Sequence, residues 1–117
     1  MAQWNANTVP KSEKGQWSDE VLVTIEKGRC CAVLKAIYIP YHNVTTEDSG
    51  WCMEDGIPDD WEYIEEEDDW WIPDGWYEVC DNCRDARYFE IDGKVTAWMK
   101  LPKPYEPRVK QLVNEVK

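Results

Sequence analysis

Two sets of side chains in this 117-residue chain have types and spacings that could do chemistry. From Glu54 to Glu78, twelve carboxylates surround four tryptophans and two tyrosines, with no Lys or Arg among them. Just beyond lies Cys80-Asp81-Asn82-Cys83, whose two thiols have the spacing of a zinc-binding turn.

Paired carboxylates serve acid–base chemistry when one is fixed as acid and the other as base at a defined separation. Twelve similar ones nominate no such pair, and the lone His42 has no evident partner, so the chain is expected not to be an enzyme. A calcium loop needs acids on alternate positions, then Gly, then a closing Glu, and this ladder is missing. Zinc would need His42 and Cys52 to complete a tetrahedron with Cys80 and Cys83; a single Cys-x-x-Cys is half of such a site. No cofactor is therefore expected. A small zinc-stabilised structural or assembly module on Cys80 and Cys83 stands as the second reading, and metal analysis of protein carrying both cysteines or neither separates the two. A redox role is weaker, because no strand–helix context follows the pair.

The acids suit binding better than catalysis. Carboxylates along a folded edge present a charge array like that of a nucleic-acid backbone, and interleaved tryptophans supply anchors for arginines. The candidate contact residues are Glu54, Asp55, Asp59, Asp60, Trp61, Glu62, Glu65, Glu66, Glu67, Asp68, Asp69, Trp70, Trp71 and Asp74. The competing account makes the tryptophans a second small core that the acids solvate. Direct nucleic-acid binding is opposed by charge, since phosphate contact needs a basic patch.

Charge is segregated along the chain. No Lys or Arg lies between Lys35 and Arg84, while fifteen acids fall from Glu47 to Asp81; residues 1–35 carry +1 and residues 84–117 carry +3, within a net charge of −11. Disordered acidic runs are poor in aromatics, so the tryptophans here argue for a folded insert on a nearly neutral scaffold.

The elements that must position this insert read as mainly β (α+β): a small twisted antiparallel sheet with a short C-terminal helix. A single domain is expected over residues 1–117. Residues 1–20 read as an extended lead-in with Trp4 and Trp17 anchoring it to the sheet edge. Val21 to Glu26 alternates, Lys27-Gly28 turns, and Arg29 to Tyr41 returns as a central strand, giving a hairpin over 21–41 in which Cys30 and Cys31 are expected as small buried hydrophobes. The acidic insert covers 42–83. Within it Ile57-Pro58-Asp59-Asp60-Trp61 is echoed by Ile72-Pro73-Asp74-Gly75-Trp76. Each Pro-Asp predicts a turn into a short strand, Trp61 to Ile64 and Trp76 to Val79, with Glu65 to Asp69 as the exposed loop between them. A second hairpin and a Pro turn occupy 84–104. Tyr88 to Ile91 and Val95 to Met99 flank Asp92-Gly93, a type I′ turn signal, and Trp98 is expected in the core. Val109, Leu112, Val113 and Val116 have helical spacing, predicting a helix over 105–117 after Pro107.

Nothing resembles a signal peptide or a membrane span, since the longest apolar stretch, Ala36 to Pro40, is too short for either. Five cysteines, an odd number, suit a reducing compartment and free thiols.

Val95-Thr96-Ala97-Trp98-Met99-Lys100-Leu101-Pro102-Lys103-Pro104 resembles the closing signature of a small phage- and prophage-encoded family, the domain of unknown function five-five-one. Members of that family typically end Val-Thr-His-Trp-Met-Pro-Leu-Pro-Glu-Pro. Gly75-Trp76-Tyr77-Glu78 and Glu20-Val21-Leu22-Val23-Thr24 also look like family features. Ala97 stands where the family has His and Lys100 where it has Pro, and the residues after Pro107 lie beyond its usual end. The resemblance implies a phage or mobile-element origin, a small sheet-based domain and a location in the cytoplasm of a bacterial host; it brings no established activity. Joined to the acidic, aromatic insert, it implies an accessory protein that binds a basic host protein handling nucleic acid. An RNA-guided defence nuclease is the leading candidate, blocked by mimicry or by steric obstruction.

Overall fold

The structure, a computed structural model, describes residues 3–51, 53, 55–81 and 86–102. Glu54, Cys52, Cys83 and the expected C-terminal helix lie outside the described residues. The fold is mainly β and antiparallel. In chain order it runs β1 (Val21–Lys27), β2 (Cys30–Ile39), α1 (Thr46–Ser49), β3 (Glu62–Ile64), β4 (Asp69–Trp71), β5 (Gly75–Asp81), β6 (Ala86–Glu90) and β7 (Lys94–Lys100).

β1 and β2 form the expected hairpin, in register from Val21 opposite Ala36 to Lys27 opposite Cys30. The turn is one residue later than read from the sequence: Gly28 and Arg29 close it, with Gly28 at φ 62°, the positive angle that a two-residue hairpin needs and that glycine adopts without strain. β2 is the central strand of five in the order β6-β5-β2-β1-β7. Cys30 and Cys31 are exposed rather than buried, and Val33 is 55% exposed. β5 pairs with β2 only from Ala36 to Ile39, so among the described residues the first half of β2 has β1 as its one paired neighbour in the sheet.

Asp92-Gly93 does not close a hairpin. β6 pairs with β5 at one edge and β7 with β1 at the other, and Asp92 lacks the positive φ of a type I′ turn. In a flat sheet these edges would stand four strand spacings apart, about 19 Å. The link Ile91 to Gly93 spans only about 13 Å between Glu90 and Lys94 even when extended. The sheet must therefore coil. Ile91 N–H still donates to Trp76 O on β5 (3.1 Å), and a Cβ added at Gly93 would sit 3.1 Å from Glu26 O on β1. Inside the curl Val21, Val23 and Ala36 are buried, with Ile25, Leu34, Trp76, Ile91, Val95 and Trp98 packed around them. Trp98, expected in the core, is half-buried against this cluster. A register shift at Thr24/Ile25 bulges β7 at Thr96, whose hydroxyl donates to Thr24 O.

The opposite face of the sheet carries a second cluster: Ile37, Ile39, Val44, Ile72, Tyr77 and Val79 are buried, and Trp17, Trp51, Trp61 and Tyr88 pack on it. The lead-in docks differently from the expectation. Asn5 pairs its backbone with Trp98 at the β7 edge while Trp4 is 42% exposed, and Trp17 lies on the sheet's face against Trp51 and Tyr88. Asn5 thereby covers the open backbone groups of Trp98 on this edge strand.

Candidate functional site

The chain between β2 and β5 forms a lobe at the Ile39/Gly75 end of the sheet. Its framework is a three-residue hairpin ladder, Glu62 opposite Trp71 to Ile64 opposite Asp69. The partner of β3 is therefore β4, a strand not read from the sequence, and the expected exposed loop Glu65–Asp69 is corrected: the loop is Glu65–Asp68 and Asp69 begins β4, buried. Two short strands cannot stand alone in water. Ile72 N–H donates to Val44 O (2.9 Å) and Thr45 bridges to Trp71, and Val44 and Ile72 bury their side chains in the cluster on the sheet's face.

Asp69 is the exception among the acids. It is 6% exposed and serves as a polar hub: its carboxylate accepts from the Thr46 hydroxyl, from Trp70 N–H (2.8 Å) and from Glu47 N–H (3.4 Å). Burial raises its pKa, but the hydrogen bonds from Thr46, Trp70, Thr45 and Glu47 together outweigh it and hold the carboxyl below its usual value. The same turn is closed by a capping box in which Thr45 Oγ1 accepts from Asp48 N–H (3.1 Å) and Asp48 accepts from Thr45 N–H (3.2 Å). Asp69 belongs to the lobe's internal architecture rather than to its exposed acids.

The other described candidates sort cleanly. Asp55, Asp59, Asp60, Glu62, Glu65, Glu66, Glu67, Asp68 and Asp74 are all exposed. Glu65 to Asp68 crown the β3–β4 turn, where Glu67 N–H donates to Ile64 O and Asp68 takes φ 51°, a left-handed position that Asp tolerates better than most residues. Asp68 also accepts from the Tyr63 hydroxyl (2.6 Å), which pushes the phenol's pKa up, and Tyr63 packs on Trp70 at 5.1 Å. The tryptophans divide between the two accounts drawn from the sequence. Trp61 packs on the buried cluster, whereas Trp70 and Trp71 are half-buried on the lobe itself. Beside Trp71 an open cleft of about 600 Å³ is lined by Glu47, Asp48, Glu67 and Asp69 together with one cation, Lys14.

His42 has a partner that the sequence does not reveal. Its Nε2 lies 2.9 Å from Glu62 Oε1, and its ring stacks between Tyr41 and Trp71. It reaches this position because β3 pairs with β4, placing Glu62 across from Trp71. Cys80 is remote from it along the fold: β5 starts at Gly75, opposite Ile39, and Cys80 lies five residues further, about 17 Å. Desolvation and the adjacent Glu78 carboxylate push the Cys80 thiol up. His42 and Cys80 are not brought together. Glu47, Asp48 and Tyr41 join the acidic face although the sequence reading did not select them; the only signal for the first two was their place inside the cation-free segment.

No family model matches the chain, and neither a curated protein nor a solved structure was found to be significantly similar to it.

Proposed function

We propose that the acidic lobe is a protein-binding face, without enzymatic activity, for a basic protein that handles nucleic acid. The observation that carries this reading is the exposure of nine carboxylates between Asp55 and Asp74 on a folded lobe, in a stretch of sequence devoid of Lys and Arg. Uncompensated charge on an ordered surface attracts a basic groove over long range and speeds encounter. Trp70 and Trp71, half-buried beside the acids, add the aromatic contacts on which interfaces depend.

The resemblance to a phage- and prophage-encoded family suggests the setting, an accessory protein acting in the cytoplasm of a bacterial host. The partner of choice is a defence nuclease guided by RNA, whose groove reads a short DNA motif with arginines and is open to mimicry or obstruction. The test is capture of partners from host lysate on the immobilised full chain at low and high salt, followed by challenge with duplex DNA. A basic nuclease released by both salt and DNA is the expected result. A partner held equally at all salt concentrations and indifferent to DNA would refute the electrostatic reading.

A further inference from the structure

We propose that Tyr41, supported by His42 and Trp71, is a stacking seat for an arginine side chain of the protein partner; this rests on the acidic lobe being a protein-binding face. Three rings form a ladder: Tyr41 and His42 have centroids 3.9 Å apart and His42 and Trp71 4.8 Å apart, each pair inclined by 14°. The lower rungs are anchored. Trp71 bridges to Thr45 through its backbone, and His42 is pinned at its ring edge by Glu62. His42 adopts φ 48°, a conformation that non-glycine residues rarely occupy, in the tight turn where the two consecutive rings lie face to face.

The top rung is open. Tyr41 remains 68% exposed although one face lies on the imidazole, so its outer face is available to a flat group. Two chemical classes stack on such a face: nucleobases and guanidinium groups. A nucleobase arrives on a polyanion, which fifteen acids in the same segment repel. A guanidinium is planar, cationic and weakly hydrated, so it gains from both the ring and the acidic lobe, whose Glu62 contacts the imidazole beneath the ring. Lysine matches the charge but not the shape. A pre-stacked ring also loses little freedom on binding, which lowers the entropic cost of contact.

Octa-arginine and octa-lysine peptides, equal in charge, are titrated against the full chain at low salt, with the parent protein and with the Tyr41→Leu and Tyr41→Phe variants. Octa-arginine is expected to bind about threefold to tenfold more tightly than octa-lysine. Tyr41→Leu should erase that preference while leaving octa-lysine binding unchanged, which also reports an intact fold, and Tyr41→Phe should retain it. Equal affinity of the two peptides for the parent protein, or a preference that survives Tyr41→Leu, overturns the seat and leaves the acidic-face reading standing. Failure of both peptides to bind removes the acidic face and the seat with it.

Discussion

The coiled sheet and the acidic lobe are held together by different physics. The sheet buries two apolar clusters, one on each side of β2, and its strands exchange long ladders of hydrogen bonds. The lobe has two three-residue strands and one turn of helix, and its exposed side chains repel one another. It keeps its shape through two devices. Trp51 and Trp61 fold back onto the sheet's outer cluster, and Asp69 ties α1 to β4 with hydrogen bonds. A like-charged surface can thus be ordered when one of its own acids is withdrawn from it to serve as internal glue.

The contrast is sharpest under mutation. Ile37→Ala removes a fully buried side chain from beneath the lobe and should cost about 2–5 kcal/mol of global stability, read from the denaturant midpoint. Asp69→Asn, which sets an amide NH2 against donors, should cost about 1–3 kcal/mol and loosen the α1 and β4 amides in hydrogen exchange, with smaller changes in β1 and β2. A uniform loss across both regions would show that the lobe and sheet unfold as one unit.

The pH dependence of that second comparison follows from the sign of the shift. Asp69 is held below its usual value, so its stabilising contribution is present above about pH 4 and fades as pH falls through the lower folded value. The gap between the parent protein and Asp69→Asn should be full at pH 7 and close in acid. A gap that widens below pH 4 would contradict the hub.

Neutralising Glu65, Glu66, Glu67 and Asp68 together should leave stability within about 0.5 kcal/mol, because exposed charges contribute little, while slowing association with a basic partner. Stopped-flow rates should show a weaker salt dependence in that variant, carried by the five exposed acids that remain from Asp55 to Asp74, since physiological salt screens within about 8 Å. The smallest effect concerns thiols. Cys30, Cys31 and Cys80 are free and exposed, so all three should react with a thiol reagent in the native state, with Cys80 slower than a free thiol at pH 8 because its thiolate is disfavoured.

Much of this protein is written locally. Alternation of apolar residues marks β1 and β2, their shared hairpin follows from Gly28, and the absence of Lys and Arg from residue 36 to 83 marks the lobe. Those properties depend on side chains within a few residues of one another. Which strands become neighbours does not. Asp92-Gly93 carries a hairpin signal, yet β6 is captured by β5 and β7 by β1, because pairing there closes the curl over Val21, Val23 and Ala36 and packs Trp98 against them. Cys30 and Cys31 have the pattern of buried residues and are exposed, because β5 joins β2 only from Ala36 onward. Asp69 is indistinguishable in sequence from Asp68 beside it. One is buried and the other exposed because the β3–β4 register sets Asp69 against the start of α1, and only the folded backbone brings those donors within reach of its carboxylate.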